Sequence, residues 1–391
     1  MAGDGPYGSG GPDLFGSPAA RSLPYPIMAR TRSLPAAWTS HDPDQVWTLV
    51  SLGDTCPDRG PAKQAVTLGR GWDWVMGGGT AGYRRIGIDR SPPPGIEPGH
   101  IVVDAISTGN DGAVPALASG ADVTIDDFEC PVVDDYTPNL TSVLVFSVDP
   151  RVPPLLASKL GVDVAYLAAN HQGDKGISGI KSTLRHLAAA GIRTTGLGLT
   201  LDAALAAATI TVAGVRLAFV SFNDVGGVRA ASPTKPGVAW LTEVNVTTAV
   251  ARARADGADV VFCDPQWWGG TEYHADLRPR QVEQLRWFDT AGCDHVIGAG
   301  THWSGPLRLR TLNGKASLMM ASQGNYLFGQ DWDQQVQEGV ILEVAFRGAA
   351  LVNVRLHPYI MLRQAQASLT DPETDGLWVM TRIYRHADIG G

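Results

Sequence analysis

Cysteine is scarce in this chain of 391 residues, which contains only four cysteines and no C-x-x-C pair. The four lie far apart, at Cys56, Cys130, Cys263 and Cys293. Their spacing indicates no zinc motif, and no disulfide framework can be inferred from spacing alone. We therefore predict that all four are buried, reduced thiols of a cytosolic protein.

Long apolar runs and an excess of positive charge are also missing. No run of about 18 apolar residues could span a membrane, and the first residues lack the charged and then apolar pattern of a secretory signal. Lysine and arginine number 31 against 39 aspartates and glutamates, which gives a formal net charge of -8. Such a surface attracts neither nucleic acid nor an anionic membrane. We expect a cytoplasmic protein whose partner is small, neutral or cationic.

The remaining pattern divides the chain into an arm and one domain. Residues 1–43 are rich in Gly, Pro, Ser and Ala without apolar periodicity, which predicts a flexible arm. Residues 44–391 alternate short apolar runs with helical patterns, which predicts a single α/β layered domain. Residues 358–391 are expected to form a C-terminal extension that packs on this domain.

Polar clusters follow the predicted strands at the point where each strand ends. Taken singly, each cluster also fits a turn or a helix cap. Together they bring acids, an amide and two imidazoles to one edge of a sheet, where ligands of α/β proteins bind. The clusters are Gly53-Asp54, residues 126–129, Asn170-His171 with Asp174 and Gly176, residues 264–269, and residues 298–302.

These clusters resemble the motifs of the capsule-synthesis CapA-type proteins in the calcineurin-like metallophosphatase superfamily. The resemblance extends from about residue 47 to about residue 346. It implies a four-layer αββα sandwich with metal bound at the strand ends. The matching segments are Gly53-Asp54 with Arg59 (G-D-x-x-x-x-R), residues 127–129 (N-x-E), 169–176 (A-N-N-H-x-x-D-x-G), 268–273 (H-W-G-x-E-Y) and 322–328 (S-L-G-N-F-x-F).

Two departures from the family pattern lower the number of imidazoles. Gln266 and Trp267 stand where the family has a histidine, and Gly300-Thr301-His302 lacks the first histidine of H-P-H. A two-metal phosphoesterase needs ligands around both ions. The remaining oxygen donors favour one hard divalent cation, with Ca²⁺ preferred and Mg²⁺ or Mn²⁺ possible. The predicted ligands are Asp54, Asp127, Glu129 and Asn170.

His171 and His302 are then available for proton transfer, since a neutral imidazole oriented by a carboxylate is an effective general base. We predict Asp264 as the orienting acid for His302, and Asp127 or Asp54 for His171. Two such pairs on opposite sides of a substrate would invert a carbon centre. The sequence is similar to a branch of the family, the lasso-peptide epimerases, which implies inversion of the Cα of a C-terminal tryptophan in a precursor peptide.

Aromatic and cationic residues near the clusters are candidates for substrate binding. Trp267, Trp268 and Trp303 would form a wall for an indole, or alternatively they pack in the core. A terminal carboxylate would pair with Arg59, Arg84 or Arg85. His295 ranks below His302 because it begins a strand. The other histidines are expected to be structural or exposed, namely His41, His186, His274, His357 and His386.

Two alternatives to the epimerase hypothesis remain open. One is a phosphoesterase that acts with two metals, as the superfamily fold alone implies. The other is a role in the biosynthesis of a capsule polymer, poly-gamma-glutamate, as the family label implies. The lack of a membrane anchor counts against the second, because such polymers are handled at the envelope.

Overall fold

The computed structural model of the protein describes residues 27–28, 46–77, 81–89, 100–107, 112–141 and 143–385. Its strands are β1 Ile27–Met28, β2 Val46–Cys56, β3 Ala81–Asp89, β4 His100–Ser107, β5 Val123–Phe128, β6 Val162–Tyr166, β7 Arg193–Thr195, β8 Leu197–Gly198, β9 Ala208–Val212, β10 Val215–Asn223, β11 Gly237–Val238, β12 Val260–Gln266, β13 His295–Ile297, β14 Leu307–Leu312, β15 Lys315–Met320, β16 Asn325–Phe328, β17 Glu338–Arg347, β18 Ala350–Leu362 and β19 Gln366–Leu369.

The helices lie between and after these strands. They are α1 Gly60–Ala62, which continues as a π-helical turn Lys63–Thr67, α2 Trp72–Gly77, α3 Ala113–Ser119, α4 Val152–Leu160, α5 Gly176–Ala189, α6 Leu201–Ala204, α7 Glu243–Ala255, α8 Pro279–Ala291 and α9 Leu377–Arg385. The predicted stop of α8 is confirmed, because Gly292 follows it with φ 91°, a left-handed conformation that glycine adopts readily.

Two large sheets carry the fold. The first has the order β1-β18-β17-β2-β5-β6-β7, with β16 beside β2 and β19 beside β18. The second has the order β14-β15-β13-β12-β10-β9. Strands β2, β5, β6 and β7 run parallel, as do β10, β12, β13 and β15. The carboxyl ends of each parallel set therefore meet at one edge.

Three apolar cores separate four layers. Side chains of both sheets, among them Ile125 and Phe262, share the central core. A second core joins the first sheet to α4 and α5, through residues such as Leu156. A third joins the second sheet to α7 and α8, through Val250 and Phe288. This arrangement confirms the predicted αββα sandwich.

The two ends of the chain depart from their predicted boundaries. Ile27 and Met28 lie within the predicted arm, yet they form a strand that pairs with Val354 and Arg355 of β18. The rest of residues 1–43 lies outside the described residues. Pro358 lies inside β18, so the predicted extension does not begin there. The helix α9 does pack on the domain, because its apolar face joins the central core.

All four cysteines are paired, which makes the prediction of reduced thiols wrong. Cys56 bonds to Cys130, and Cys263 bonds to Cys293. The predicted burial is confirmed, since each is at most 1% exposed. The partners lie 74 and 30 residues apart in sequence, so only the fold brings them together.

No helix in the described part of the chain combines the length and the apolarity needed to cross a membrane.

Candidate metal and acid-base site

Asp54 lies at the end of β2, where the first sheet meets the residues between β15 and β16. Its backbone N–H donates a 3.0 Å hydrogen bond to the carbonyl oxygen of Gly324. A side chain on the preceding Gly53 would overlap with that oxygen, so the approach requires glycine. The Asp54 carboxylate accepts hydrogen bonds of 3.3 Å from the N–H of Gly300. The Gly-Asp pair thereby joins the first sheet to the loop of the second.

His302 lies against Asp54 on that loop. Its Nδ1 is 3.3 Å from Asp54 Oδ2 and 2.9 Å from Asn325 Oδ1. The amide of Asn325 donates to Gln330 and to the carbonyl oxygen of Val336, so its oxygen faces the histidine. The Nδ1 atom therefore carries the hydrogen, and Nε2 is the acceptor when the ring is neutral.

Asp54, Glu129 and His302 form the cluster most suited to a metal ion in the described residues. Each offers one ligand atom, and these atoms lie within 4.8 Å of one another. Glu129 follows β5, is 1% exposed, and its Oε2 has no hydrogen-bond partner among the described residues. A buried carboxylate oxygen without a partner is costly, so the two carboxylates of this cluster fit a hard divalent cation.

The electrostatics of the cluster follow from its burial. Burial raises the pKa of Glu129 to about 7, and the charge of Asp54 adds to that rise, whereas His302 and His171 oppose it. Burial alone would lower the pKa of His302, but the hydrogen bond to Asp54 and the charge of Glu129 outweigh it and raise that pKa to about 9. The charges of both imidazoles, His302 and His171, therefore lower the pKa of Glu129.

His171 has a different acid from the one predicted. Its Nδ1 is 3.0 Å from Asp174 Oδ2, and neither Asp127 nor Asp54 forms that contact. The same Asp174 oxygen accepts a 2.7 Å hydrogen bond from the N–H of Phe146, which fixes the carboxylate. Asn170 begins the 3-10 turn Asn170–Gly173 that carries the histidine. Its role as a ligand stays a prediction.

Asp264 is likewise not the acid beside His302, which is Asp54. Asp264 is buried in β12 and accepts a 2.7 Å hydrogen bond from Ser221 Oγ. Asp127, next to Asp54 in the register of β2 and β5, is outside the cluster of three metal donors. The pairings were wrong because Asp127 and Asp264 lie below the strand ends, between the two sheets.

The three tryptophans lie in different environments. Trp267 is fully buried in the core of the second sheet, where its Nε1 donates to the carbonyl oxygen of Ala321, so it cannot form part of a substrate wall. Trp268 is 44% exposed, and the guanidinium of Arg280 lies 5.6 Å from its ring. Trp303 is half-buried beneath the guanidinium of Arg382, at 5.8 Å.

Arg59 lies closer to the site than the other predicted arginines. Its guanidinium is 4.6 Å from the ring of Phe146, and that ring contacts the imidazole of His171 at 4.4 Å. Arg84 and Arg85 form exposed ion pairs with Asp104 and Asp375 on and beside the hairpin of β3 and β4. Both of these ion pairs lie outside the site.

The remaining histidines have structural partners, are exposed or lie outside the described residues. His186 is 2.7 Å from Asp134, and the buried His357 is 2.7 Å from Glu343. His295 is buried and accepts a hydrogen bond from the N–H of Leu318. His274 is exposed, and the partial loss of its contact with water lowers its pKa. His41 and His386 fall outside the described residues.

Sequence reasoning missed two residues that shape the site. Asn325, which orients His302, stands in the S-Q-G-N-Y segment quoted for its resemblance, and that match could have identified it. Tyr273 stacks on His302 at 5.6 Å and has a positive φ of 59°. His302 has φ 62° and Arg59 has φ 48°. Such conformations are costly for residues other than glycine and cluster at functional sites.

The four layers and the strand-end cluster of Asp54, Glu129 and His302 define an α/β sandwich protein with a candidate metal centre. The sequence matches the bacterial capsule synthesis protein family PGA_cap over residues 48–330. The chain belongs to that family, which confirms the resemblance to CapA-type proteins.

Two curated relatives are similar to this chain over part of its length. One is the PGA biosynthesis protein CapA of Bacillus subtilis, 32% identical over 167 residues, which are 42% of this chain and 42% of the relative. The other is the capsule biosynthesis protein CapA of Bacillus anthracis, 26% identical over 200 residues, which are 50% and 47%. The chain spans less than half the length of these relatives.

Solved structures with a similar chain course have low sequence identity. The NAD nucleotidase of Haemophilus influenzae is 13% identical with a TM-score of 0.46, covering 88% of this chain and 57% of that one. The calcineurin-like phosphoesterase YfkN of Bacillus subtilis is 12% identical with a TM-score of 0.35, covering 66% and 82%.

Proposed function

We propose that this protein is a metal-dependent peptide epimerase, which inverts the Cα centre of the C-terminal residue of a ribosomal precursor peptide. The observation that carries the proposal is the pair of His-carboxylate contacts, His302 with Asp54 and His171 with Asp174. The charges of both imidazoles lower the pKa of Glu129. A two-base inversion needs two such groups around one substrate.

The carboxylates fix the tautomer of each histidine. Because the hydrogen on Nδ1 points to Asp54 or Asp174, the Nε2 atom of a neutral ring accepts a proton and that of a charged ring donates one. One Nε2 removes the Cα proton, and the electron pair moves into the adjacent carboxylate. The other imidazolium returns a proton to the opposite face. The Cα–H bond is thereby broken and remade with inverted geometry, and both histidines have exchanged charge states.

Asp54, Glu129 and Asn170 would hold the cation, with His302 at its border. A bound divalent cation supplies positive charge that stabilises the enediolate-like electron density. Asp54 would thus serve both the ion and His302. For the substrate, the exposed face of Trp268 and the half-buried Trp303 are suited to an indole. Arg59 is suited to the terminal carboxylate, because its guanidinium shares Phe146 with His171.

The test is proton exchange in deuterated water. Purified protein is loaded with Ca²⁺ or Mn²⁺ and incubated with synthetic peptides that end in tryptophan. The mass of the terminal residue and its chirality are then measured. We expect a chelator-sensitive gain of one deuteron, lost in His302→Ala and in His171→Ala. His186→Ala is the matched control, because His186 also contacts an aspartate but lies in α5.

Exchange that survives in both histidine variants would overturn the two-base assignment. The same samples are assayed with p-nitrophenyl phosphate. Metal-dependent hydrolysis without proton exchange would replace the proposal with the two-metal phosphoesterase.

A second candidate function, in the biosynthesis of a capsule polymer, is favoured by the two disulfides. A ribosomal peptide would be met in the cytoplasm, whereas stable disulfides are typical of oxidising compartments. The names of the two relatives point the same way. Cells are lysed into denaturant that contains an alkylating reagent, so that buried thiols are accessible, and the modified cysteines are counted by mass spectrometry. Four alkylated cysteines support the cytoplasmic epimerase, and none supports the capsule role.

A further inference from the structure

A small cavity lies between the two sheets, below the cluster of Asp54, Glu129 and His302. Its volume is about 10 Å³, enough for about one water molecule or ion. The first sheet contributes Asp54, Asp127 and Tyr166 to its lining, and the second contributes Asp264. No lysine or arginine is among the described residues that line it. Three carboxylates thus surround one small space without a positive charge.

Two of these side chains have unpartnered polar atoms. Asp127 is 5% exposed, and neither of its carboxylate oxygens has a hydrogen-bond partner among the described residues. The hydroxyl of Tyr166, which is 2% exposed, also has none. Buried polar atoms nearly always have partners in native proteins. The unpartnered hydroxyl of Tyr166 is an observation separate from the cluster of acids, and it also indicates that a ligand binds in this cavity.

The acids act on one another across the sheets. Besides burial, the charge of Asp264 is the largest cause that raises the pKa of Asp127. The charges of Asp264 and Asp127 likewise raise the pKa of Tyr166. Since all three groups line one cavity with room for about one ion, they are close enough to share it. Ser221, whose Oγ donates to Asp264 Oδ2, fixes the orientation of that carboxylate.

We propose that this cavity binds one hard divalent cation, held by Asp127, Asp264 and the hydroxyl of Tyr166. Carboxylate and hydroxyl oxygens are suitable ligands for Ca²⁺, and a cation would neutralise the carboxylates that face each other. The cavity adjoins the first site through Asp54, but its proposed ligands Asp127 and Asp264 are not in the cluster of Asp54, Glu129 and His302. It ties the two sheets together beneath the catalytic histidines. The proposal does not depend on the reaction that the protein catalyses.

Ion counting tests the proposal. The full chain is stripped with a chelator and reloaded with Ca²⁺ alone or Mn²⁺ alone. Bound ions are then counted by native mass spectrometry. We expect two ions in the wild type and one in Asp127→Asn and in Asp264→Asn. Glu129→Gln is also expected to hold one, since it loses the ion of the first site.

Asp126→Asn is the matched control, because Asp126 is equally buried in β5 but bonds to Thr55 instead of lining the cavity. It should still bind two ions. A single ion in the wild type, or two ions in Asp127→Asn, would overturn the proposal and leave a water molecule or a shared proton in the cavity.

Tyr166→Phe keeps the ring and removes only the hydroxyl. It therefore still tests the site if the acid variants fail to fold. We expect the weaker of two Ca²⁺ affinities to fall on the order of tenfold by titration calorimetry, with the other unchanged. Unchanged affinities for both ions would remove Tyr166 from the site and contradict the proposal. Peptide proton exchange is measured separately, so failure of the epimerase hypothesis would not affect these counts.

Discussion

Two buried histidines lie at opposite ends of β13 and differ in charge. His295 begins the strand and lies between Phe262 and Phe346, with ring centroids at 5.0 and 5.2 Å. Burial lowers its pKa to about 4. His302 lies beyond the other end, where Asp54 and Glu129 overcome the effect of burial and raise its pKa to about 9. Neighbouring side chains, rather than burial, decide which histidine carries charge.

The same contrast holds for the two edges of the sandwich. At the edge of His302, carboxylate oxygens lack partners and three residues have strained positive φ angles. At the edge of His295, the ring packs among aromatic side chains and accepts a backbone hydrogen bond. A fold keeps such local conflicts mainly where function requires them. The unpartnered carboxylate oxygens therefore mark the edge of His302 as the candidate site without reference to any motif.

The largest expected effect is a difference in the rate of peptide proton exchange between variants of the two histidines. His302→Ala should lower the rate of peptide proton exchange by about 10²- to 10⁴-fold, because it removes a general acid-base group. His295→Asn should leave that rate within about twofold, since the asparagine oxygen can still accept the hydrogen bond of Leu318. Exchange rates in deuterated water check both variants. Equal losses in the two would break the comparison.

The two disulfides extend the comparison to metal binding. Replacing either pair with alanines should lower the free energy of unfolding by about 4 kcal/mol, because each bond closes a long loop. Cys56 and Cys130 adjoin the strand ends that carry Asp54 and Glu129. Loss of the Cys56–Cys130 disulfide, but not of the other one, should weaken Ca²⁺ binding on the order of tenfold. Urea unfolding and calorimetry provide the two measurements, and equal Ca²⁺ affinity in both double variants would contradict the link.

The pH dependence of stability isolates His295. Its pKa is lowered from 6.5 to about 4 in the folded state, so the neutral ring stabilises the fold above pH 6.5 and this contribution is lost as the pH falls toward 4. The loss should reach about 3 kcal/mol. His295→Asn has no such group, so its unfolding free energy should fall less over that range. Denaturant titrations at several pH values measure the difference, and parallel curves would argue against a neutral His295.

The smallest effect concerns Trp268. Because the side chain is 44% exposed, Trp268→Ala should change the free energy of unfolding by only about 0.5 to 1 kcal/mol, from loss of the contact with Arg280. The KM for peptides ending in tryptophan should rise more than kcat falls. Steady-state exchange kinetics check this split. A large loss of stability would show instead that the ring is part of the core.

Local patterns made much of the fold predictable. The apolar run before Asp54 predicted β2, and Gly292 predicted the end of α8. The strand-end rule then brought Asp54, Glu129, His171 and His302 to one edge. These predictions succeeded because they depend on periodicity, on turn chemistry and on the direction of parallel strands.

Contacts between distant segments were not predictable in the same way. Asp264 and Asp127 were assigned to the histidines, but each shares its strand face with a residue of the central core, Phe262 and Ile125, which places them between the sheets. Trp267 and Trp268 are adjacent in sequence, yet one is buried and the other exposed, because the chain leaves β12 at Gln266 and Trp268 is the N-cap residue of the 3-10 turn Gly269–Thr271. The disulfide of Cys56 and Cys130 depends on strand register, which spacing does not encode.

The buried Arg382 of α9 has a consequence for the timing of assembly. Its guanidinium donates a 3.0 Å hydrogen bond to Oγ of Ser304, which lies two residues after His302 in the same loop. The guanidinium also lies 3.3 Å from Glu338 Oε2. This helix follows every strand of the two sheets in sequence, so the ribosome releases it after them. The loop of His302 therefore gains this support only after α9 has emerged from the ribosome.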